Sequence, residues 1–183
     1  MARLPYLEKS DLPEADQDIL SRDINLYKIL AHSPNAARAF QGLGRFIRFE
    51  SKLDPRLREM AILMVGYLAR SPYEYSHHIK IGRDFGVSDD DIRGLIEEAE
   101  GRSSSLDNLS KTVLAAAREM TTDGTVSDPT FEALSKDLSR EHLLDLIITI
   151  GFYNAVVRVL ASTGMDVEDS YMSYLDEFPL PQN

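Results

Sequence analysis

The most informative absence from this 183-residue chain is cysteine. Without a thiol the chain forms no disulfide bond, offers no thiolate nucleophile and ligates no metal through sulfur. Basic residues are also scarce: 20 lysines and arginines stand against 30 aspartates and glutamates, and the net charge is −10. Such an acidic surface favours solubility and disfavours nucleic-acid binding, which usually needs a basic face for the phosphates.

Long uninterrupted apolar runs are missing as well. The first residues contain no apolar stretch of signal-peptide length. The longest apolar region, Leu143–Ala161, is interrupted by Asp145 and Arg158. Each charge buried in a membrane span would cost roughly 2.5 kcal/mol or more. We therefore predict a protein of the cytoplasm that does not span a membrane.

The hydrophobic pattern predicts an all-α fold, because helical periodicity recurs and no segment alternates cleanly at period two over strand length. Serine or aspartate before proline, and serine before acidic residues, mark several helix starts. The predicted helices cover residues 15–31, 33–50, 54–70, 71–86, 88–99, 106–120, 128–138 and 139–163.

The same pattern predicts the organisation of the chain. An extended arm at 1–13, which contains two prolines, precedes a single helical domain at 14–183. The small polar residues 101–105 have the composition of a linker. Similar residue patterns before and after this linker suggest a duplicated helical unit, with halves at about 34–100 and 106–165.

One motif carries the specific chemical signal: Glu59, Ser71, Glu74 and His78, in the spacing Glu-x11-Ser-x2-Glu-x3-His. Helical spacing places His78 on the apolar stripe of its helix and His77 on a more polar side. Glu74 lies one turn before His78, so their side chains can meet. A carboxylate beside an imidazole orients the ring and raises its pKa, as a general base or proton shuttle requires.

The same residues also fit roles that are purely structural. Glu74 and His78 also have the spacing of a helical ion pair, and Ser71 and Glu74 have that of a capping box. Glu59 lies in the second turn of the most apolar helix. A carboxylate there should be paired, for example with an arginine, or protonated, or at a cavity, where a raised pKa would suit proton transfer.

Further candidates would bind a substrate. Asn154 and Arg158 lie one turn apart on the last predicted helix, where an arginine fork could hold a substrate carboxylate; alternatively they cap carbonyl groups or pair across a subunit interface. Ser71 and Tyr73 of the motif complete the predicted substrate-binding set. Three more tyrosines could line a pocket or pack in the core: Tyr67, Tyr75 and Tyr153.

A metal site is the remaining chemical alternative. Glu74 and His78 could share a cation that Glu59 or His32 completes, but no HExxH or comparable ligand pattern is present. We predict neither a metal nor a cofactor.

The motif resembles the signature of the carboxymuconolactone decarboxylase family and its alkylhydroperoxidase D-like relatives. In the peroxidase branch that signature is Glu-x11-Cys-x2-Cys-x3-His, and Ser71 and Glu74 occupy the two cysteine positions here. The segments 31–34, 53–59, 86–92 and 150–154 also look like longer members of the family. The resemblance implies an alkylhydroperoxidase D-like helical bundle that assembles into homo-oligomers, such as dimers, trimers or hexamers.

The resemblance implies an activity only in part. Glu59 and His78 match the positions that relay protons in the thiol members, but peroxide reduction by cysteines is excluded. The decarboxylase branch is similar in its Glu-x3-His element, matched by Glu74 and His78, and acts without a cofactor on a carboxylated lactone. The resulting hypothesis is a cofactor-independent lyase or isomerase that acts on a small carboxylated or lactone substrate. In it His78 moves the proton, Glu74 orients His78, and Glu59 is a second acid or base. The alternatives are a non-catalytic oligomeric binding module of the same fold and a metal-dependent enzyme.

Overall fold

The computed structural model describes residues 2–181, and in that part of the chain it shows helices and no strand. The predicted all-α fold is therefore confirmed. The α-helices are α1 Asn25–Leu30, α2 Pro34–Arg45, α3 Pro55–Leu68, α4 Pro72–Asp84, α5 Asp89–Ala99, α6 Asn108–Thr122, α7 Asp128–Asp137, α8 Arg140–Thr163 and α9 Met172–Glu177. Residues 1, 182 and 183, which belong to the predicted arm and domain, lie outside the described part.

Helix α3 forms the centre of the molecule. Every residue from Leu57 to Tyr67 is buried, and the helix contacts α4, α5, α6 and α8. A helix that is apolar nearly all round can be stable only when other helices surround it. Because α3 is central, Glu59 reaches from it to the neighbouring helix α4 and contacts His78 there.

Side-chain caps fix several of the predicted helix starts. Asp54 accepts a hydrogen bond from the Leu57 amide, Ser139 accepts one from the His142 amide, and Ser88 forms a reciprocal capping box with Asp91. Ser71 occupies the cap position of α4 but makes no such side-chain bond. The capping-box reading of Ser71 and Glu74 is therefore wrong, and Glu74 is directed elsewhere.

The N-terminal region differs from the single helix predicted over 15–31. Residues Glu14–Leu20 form a 3₁₀ helix, and α1 begins only at Asn25 after an extended Ile24. The helix is interrupted because the Asn25 amide donates to the Glu168 carboxylate at 2.7 Å instead of continuing a helical ladder. That partner lies 143 residues away, so local sequence periodicity does not reveal it.

The C-terminal tail is structured although no element was predicted there. Gly164 follows the last residue of α8 and adopts the left-handed conformation that favours glycine. A 3₁₀ turn at Asp169–Tyr171 then leads into α9. Helix α9 packs against α4. The tail therefore covers the helix that carries His77 and His78.

The buried side chains form two hydrophobic clusters. The large one is built on α3 and its neighbours, and a small N-terminal one contains Leu12, Ile19, Leu20, Ala31 and Ala37. A pocket opens near both clusters: its lining includes Tyr27, which packs against the small cluster, and Phe40 and Phe152, which pack against the large one.

Helix α8 is long and apolar enough to cross a membrane by length and composition. However, 56% of its most apolar stretch is buried inside the protein, as in the core helix of a soluble fold. This helix is weak evidence for a membrane span.

Candidate active site

The imidazole of His78 lies between two carboxylates. Its Nδ1 atom is 2.7 Å from Glu59 Oε2, and its Nε2 atom is 2.9 Å from Glu74 Oε1. All three residues are at most 4% exposed. Helix α3 supplies Glu59, and α4 supplies Glu74 and His78 one turn apart. The structure thus brings together the three residues for which the sequence predicted catalytic roles.

Arg58 pairs with the Glu59 oxygen that does not contact His78. Its Nε atom donates to Glu59 Oε1 at 3.0 Å, and its guanidinium lies 4.6 Å from the centre of the Phe85 ring. Arg58 is itself only 1% exposed. Two buried cations and two buried carboxylates therefore alternate in the order Arg58, Glu59, His78, Glu74, which balances the charge in a region where an unpaired ion would be costly.

The electrostatics make His78 a proton donor at neutral pH. Burial lowers the pKa of the imidazole, but attraction and hydrogen bonds from Glu59 and Glu74 outweigh burial and raise the pKa of His78 to about 9. Burial raises the pKa of Glu59, but His78 and Arg58 together hold it below its ordinary value. The protonated imidazolium between two carboxylates is therefore the form present near pH 7.

A pocket of about 460 Å³ reaches this group from one side. Its walls come from the chain around α1, from α2 and the turn after it, from α4 and from α8. Glu74 and His78 line the pocket, whereas Glu59 lies behind them and does not. A substrate in the pocket would meet Glu74 and His78 directly and Glu59 only through His78.

Three arginines also line the pocket, although the chain as a whole is acidic: Arg22, Arg45 and Arg48. Glu74 supplies the carboxylate of the lining. The inner wall is aromatic, with the Tyr153 ring edge-on to the His78 ring at 5.0 Å between centroids. Burial and the nearby carboxylates raise the pKa of Tyr153, so its hydroxyl stays protonated and can donate a hydrogen bond.

His77 is buried, although its helical position put it on the more polar side of α4. Only 5% of the residue is exposed, because its ring is stacked between Tyr73 and Tyr171 at centroid distances of 4.1 and 3.6 Å. Its Nε2 atom lies 2.8 Å from Glu168 Oε2, and burial lowers the pKa of the imidazole. The C-terminal tail, which supplies Tyr171 and Glu168, is the reason for the difference.

Of the four predicted substrate-binding residues, only Tyr73 lines the pocket. Tyr73 lines the pocket, but its hydroxyl accepts from the Leu26 amide and lies 3.2 Å from Glu168 Oε1. Ser71 is buried at the start of α4 and does not line the pocket. The two residues of α8 do not line it either: the Asn154 amide donates to Thr121 Oγ1 and the Ile150 carbonyl, and Arg158 donates back to Asn154.

Arg158 instead lines a smaller hollow of about 280 Å³. The sequence-based assignment of Asn154 and Arg158 to the substrate is thus not supported by their position, because helical periodicity does not specify which neighbouring helix a side chain will face. Of the other tyrosines, Tyr153 lines the main pocket, while Tyr67 and Tyr75 pack against one another in the core.

The arrangement around His78 is not that of a metal centre. Glu59 and Glu74 bind opposite nitrogens of the ring, so their oxygens do not converge on one point. His32 contacts the Pro5 carbonyl instead. Among residues 2–181 no group of three or more histidines, aspartates and glutamates is arranged to hold a metal ion.

Several residues of the site did not emerge from the sequence. Gln41, Arg45 and Arg48 follow one another at intervals of four and three residues, so they lie on one side of α2 and the helical turn after it. This polar side is a signal that could have indicated the pocket wall. Glu168 and Tyr171 lie in an irregular acidic tail and carry no comparable signal. Their roles depend on where the tail packs.

The comparisons with known proteins agree with the motif and the fold. Residues 34–105, which contain α2 to α5 and the whole motif, match the sequence model of the carboxymuconolactone decarboxylase family. A search of curated proteins finds no match.

Solved structures with a similar fold cover nearly the whole chain. The alkylhydroperoxidase AhpD core of an uncharacterized peroxidase-related protein from Ralstonia eutropha JMP134 is 20% identical, with a TM-score of 0.75 and 95% of each chain covered. A peroxidase-related protein from Silicibacter sp. TM1040 is 22% identical, with a TM-score of 0.69 and 93% of each chain covered. The debrominase Bmp8, in a complex with 2,3,4-tribromopyrrole, is 23% identical, with a TM-score of 0.76 over 93% of this chain and 94% of that one.

At these identities the structural likeness establishes the fold and not the reaction. The family match covers the segment that holds Glu59, Glu74 and His78, and the fold is shared along the chain. Residues 34–105 are thus similar to the carboxymuconolactone decarboxylase family, the whole chain has an alkylhydroperoxidase D-like helical fold, and its sequence contains no cysteine.

Proposed function

We propose that this protein is a cofactor-independent lyase or isomerase that transfers a proton to or from a small carboxylated or lactone substrate. The observation that carries the proposal is the buried His78 imidazolium, which is held between Glu59 and Glu74 at the wall of a pocket of about 460 Å³. A volume of that size suits a small organic molecule. The alternating charges hold the groups in place before a substrate arrives, which is the main requirement for electrostatic catalysis.

Decarboxylation is the lyase reaction that these groups would serve. As the carboxylate leaves as CO₂, the carbon–carbon bond breaks and its electron pair remains on the substrate, delocalised into the lactone carbonyl. His78 passes the Nε2 proton to Glu74, and Glu74 delivers a proton to the substrate carbon. One proton from water then restores the imidazolium, so the reaction consumes one proton for each CO₂ released. An isomerase would use the same groups, with Glu74 taking a proton from one carbon and returning it to another.

Glu59 and Arg58 act in this scheme without touching the substrate. Glu59 fixes the orientation of the ring through Nδ1, and Arg58 fixes Glu59. Both are positioning residues, and they keep the Nε2 proton directed at Glu74. Tyr153 supports the other side of the ring by its edge-on packing.

The test is turnover of a panel of carboxylated lactones by the purified protein, followed by loss of lactone absorbance and release of CO₂, with peroxide consumption measured in parallel. We expect lactone turnover and no thiol-dependent peroxide reduction, because the chain has no cysteine. The rate should fall as the pH rises through about 9, where His78 loses its proton.

Two variants make the test specific. His78→Gln should abolish turnover, whereas His142→Gln should leave it unchanged, because His142 lies outside the pocket at the start of α8. Lactone turnover that survives in His78→Gln would end the assigned role. Binding of a lactone without turnover in the wild-type protein would instead support a non-catalytic binding module of the same fold.

We also propose that the protein assembles into a homo-oligomer. One side of α8 is exposed and largely apolar, and Leu144 on it is 56% exposed. A second copy of the chain would remove this surface from water. Light scattering should give a mass above the 20.6 kDa of one chain, and Leu144→Glu should lower it. A wild-type mass equal to one chain would contradict this assembly.

The proposed place of action is the cytoplasm. The acidic composition and the absence of cysteine support it. Cell fractionation with an antibody against the protein should recover it in the soluble cytoplasmic fraction, and recovery with membranes would contradict the proposal.

A further inference from the structure

Two arginines in the pocket wall have no carboxylate partner among residues 2–181. Arg45, the third, pairs with Glu50 at 3.0 Å, but neither Arg22 nor Arg48 takes part in an ion pair. Elsewhere in the described residues, arginines such as Arg38, Arg56 and Arg83 pair with aspartates or glutamates. Two uncompensated guanidinium groups that face one pocket therefore make it attractive to an anion.

Arg48 is the better positioned of the two. It lies in a wide helical turn at Phe46–Glu50, in which the Ser51 amide bonds the Phe46 carbonyl five residues earlier. Such turns occur often at functional sites. The Arg48 carbonyl accepts a hydrogen bond from Arg58 Nη1 at 3.3 Å.

That last bond connects Arg48 to the proton-transfer group. The same Arg58 guanidinium holds Glu59, and Glu59 holds His78. The backbone that carries the Arg48 side chain is therefore fixed relative to His78. Arg22, in contrast, is exposed on the segment before α1, where water competes for its hydrogen bonds.

Tyr153 lines the same pocket as Arg48 and the imidazole. Its ring contacts the His78 ring at 5.0 Å between centroids, and the Arg48 side chain is near enough to its hydroxyl to lower the pKa of Tyr153 against the effect of burial. Arg48 and the Tyr153 hydroxyl thus offer donors to a pocket that Glu74 and His78 also line. The planar fork of an arginine matches a carboxylate in geometry and charge.

We propose that Arg48 is the specificity-determining residue of the pocket and binds a carboxylate of the ligand, with the Tyr153 hydroxyl as a second donor. This assignment names the ligand group that the site recognises and rests on the proposed function for its use in catalysis. A ligand held there by its carboxylate presents its ring to Glu74 and His78. A neutral ligand of the same shape leaves the guanidinium without a partner and binds more weakly.

The experiment compares two probes that differ only in charge: γ-carboxy-γ-butyrolactone, which is saturated and so gains little electron delocalisation to drive decarboxylation, and its methyl ester. Calorimetry at neutral pH measures the Kd of each for the wild-type protein and for Arg48→Gln, Arg48→Lys, Arg22→Gln and Arg140→Gln. Arg140 is an exposed arginine outside the pocket and serves as the matched control. Circular dichroism checks that each variant is folded.

We expect the wild-type protein to prefer the acid over the ester by roughly tenfold or more, the usual scale for a charge-assisted hydrogen bond. Arg48→Gln should remove the preference, Arg48→Lys should restore part of it, and Arg140→Gln should keep all of it. Arg22→Gln should lower the preference by a smaller factor. An unchanged preference in Arg48→Gln, or its complete loss in Arg22→Gln, would overturn the assignment to Arg48.

The two proposals fail separately. If the wild-type protein binds the acid preferentially but turns over no carboxylated lactone, the catalytic proposal fails and the Arg48 site stands. If lactones are turned over but the wild-type protein does not distinguish acid from ester, the Arg48 site fails and the catalytic proposal stands.

Discussion

Glu59 Oε2 lies 2.7 Å from His78 Nδ1, and the two residues are 19 positions apart on neighbouring helices. This contact joins the central helix α3 to the pocket wall α4. It also decides the charge of the imidazole, because a buried histidine with no carboxylate beside it would be neutral at pH 7. The packing of α3 on α4 and the charge of the imidazole therefore depend on the same pair.

The first prediction concerns the pH dependence of stability. The folded-state pKa of His78, about 9, is above its ordinary value of 6.5, so the folded state binds the proton more tightly than the unfolded state. The resulting stabilisation is fully present below pH 6.5 and is lost as the pH rises through about 9. The stability advantage of the wild-type protein over His78→Gln, measured by urea unfolding, should shrink across that range.

The control for this measurement is His142→Gln at the start of α8, which leaves the Glu59–His78–Glu74 group intact and should keep the pH dependence that His78 causes. A constant difference between wild type and His78→Gln from pH 6 to pH 10 would contradict a raised pKa of His78 in the folded protein.

The second prediction separates the two carboxylates. Glu59→Gln removes the partner of two buried cations, Arg58 and His78, and should lower the free energy of unfolding by roughly 3–5 kcal/mol. Glu74→Gln leaves Arg58 and Glu59 paired and should cost less, because His78 can still use Glu59.

For activity we expect the opposite order, with the larger loss in Glu74→Gln, since Glu74 lines the pocket and Glu59 does not. We expect Glu74→Gln to abolish lactone turnover while the protein remains folded at room temperature. Urea unfolding and turnover measured on the same samples test both statements. A Glu74→Gln protein with wild-type turnover would remove Glu74 from the mechanism.

The third prediction concerns the C-terminal tail. The Glu168 carboxylate accepts from the Asn25 amide at 2.7 Å and contacts the Tyr73 hydroxyl and His77 Nε2. It thereby joins α1, which forms one wall of the pocket, to α4, which forms the other. Glu168→Gln should cost about 1–3 kcal/mol, the usual penalty when a buried hydrogen-bonded group loses a charged partner.

Hydrogen exchange gives the more specific readout. The amides of Asn25 and Leu26 should lose protection in Glu168→Gln, while those of α3 should change only with global stability. The neighbouring Asp169→Asn, whose side chain is exposed, is the matched control and should leave both quantities unchanged. Wild-type protection at Asn25 in Glu168→Gln would show that the tail does not hold α1.

The fourth prediction uses two glycines in helices. A Cβ atom added at Gly66 would lie 3.2 Å from the Tyr75 backbone nitrogen and 3.3 Å from its Cα, so Gly66→Ala must push α4 away from α3. We expect a loss of about 1–3 kcal/mol. Turnover should also fall, because the Glu59–His78 contact spans the same two helices.

Gly42→Ala is the contrasting substitution. A Cβ atom there meets nothing within 4 Å on the exposed face of α2, so the change should stabilise the protein by roughly 0.5–1 kcal/mol. Thermal unfolding of both variants tests the pair. Equal effects of the two substitutions would contradict close packing between α3 and α4 at Gly66.

The sequence predicted most of the helices for reasons that are local. Proline and capping residues at Asp54, Ser88 and Ser139 mark helix starts, and Gly164 marks an end. The prediction failed where distant groups compete with the helix. Asn25 begins α1 late because its amide bonds Glu168, and His77 is buried because Tyr171 covers it.

The amino-acid sequence by itself determined the all-α fold, the exclusion of thiol chemistry and the spacing that puts Glu74 and His78 on one turn of a helix, since each follows from residue type and periodicity. Only the tertiary structure decided that Glu59 meets His78, that Arg48 faces the pocket and that Arg158 does not. Helical periodicity specifies which face a residue occupies, but the packing of helices around α3 decides what that face contacts. The charge state of His78 follows from that packing, because burial and two neighbouring carboxylates together set its pKa.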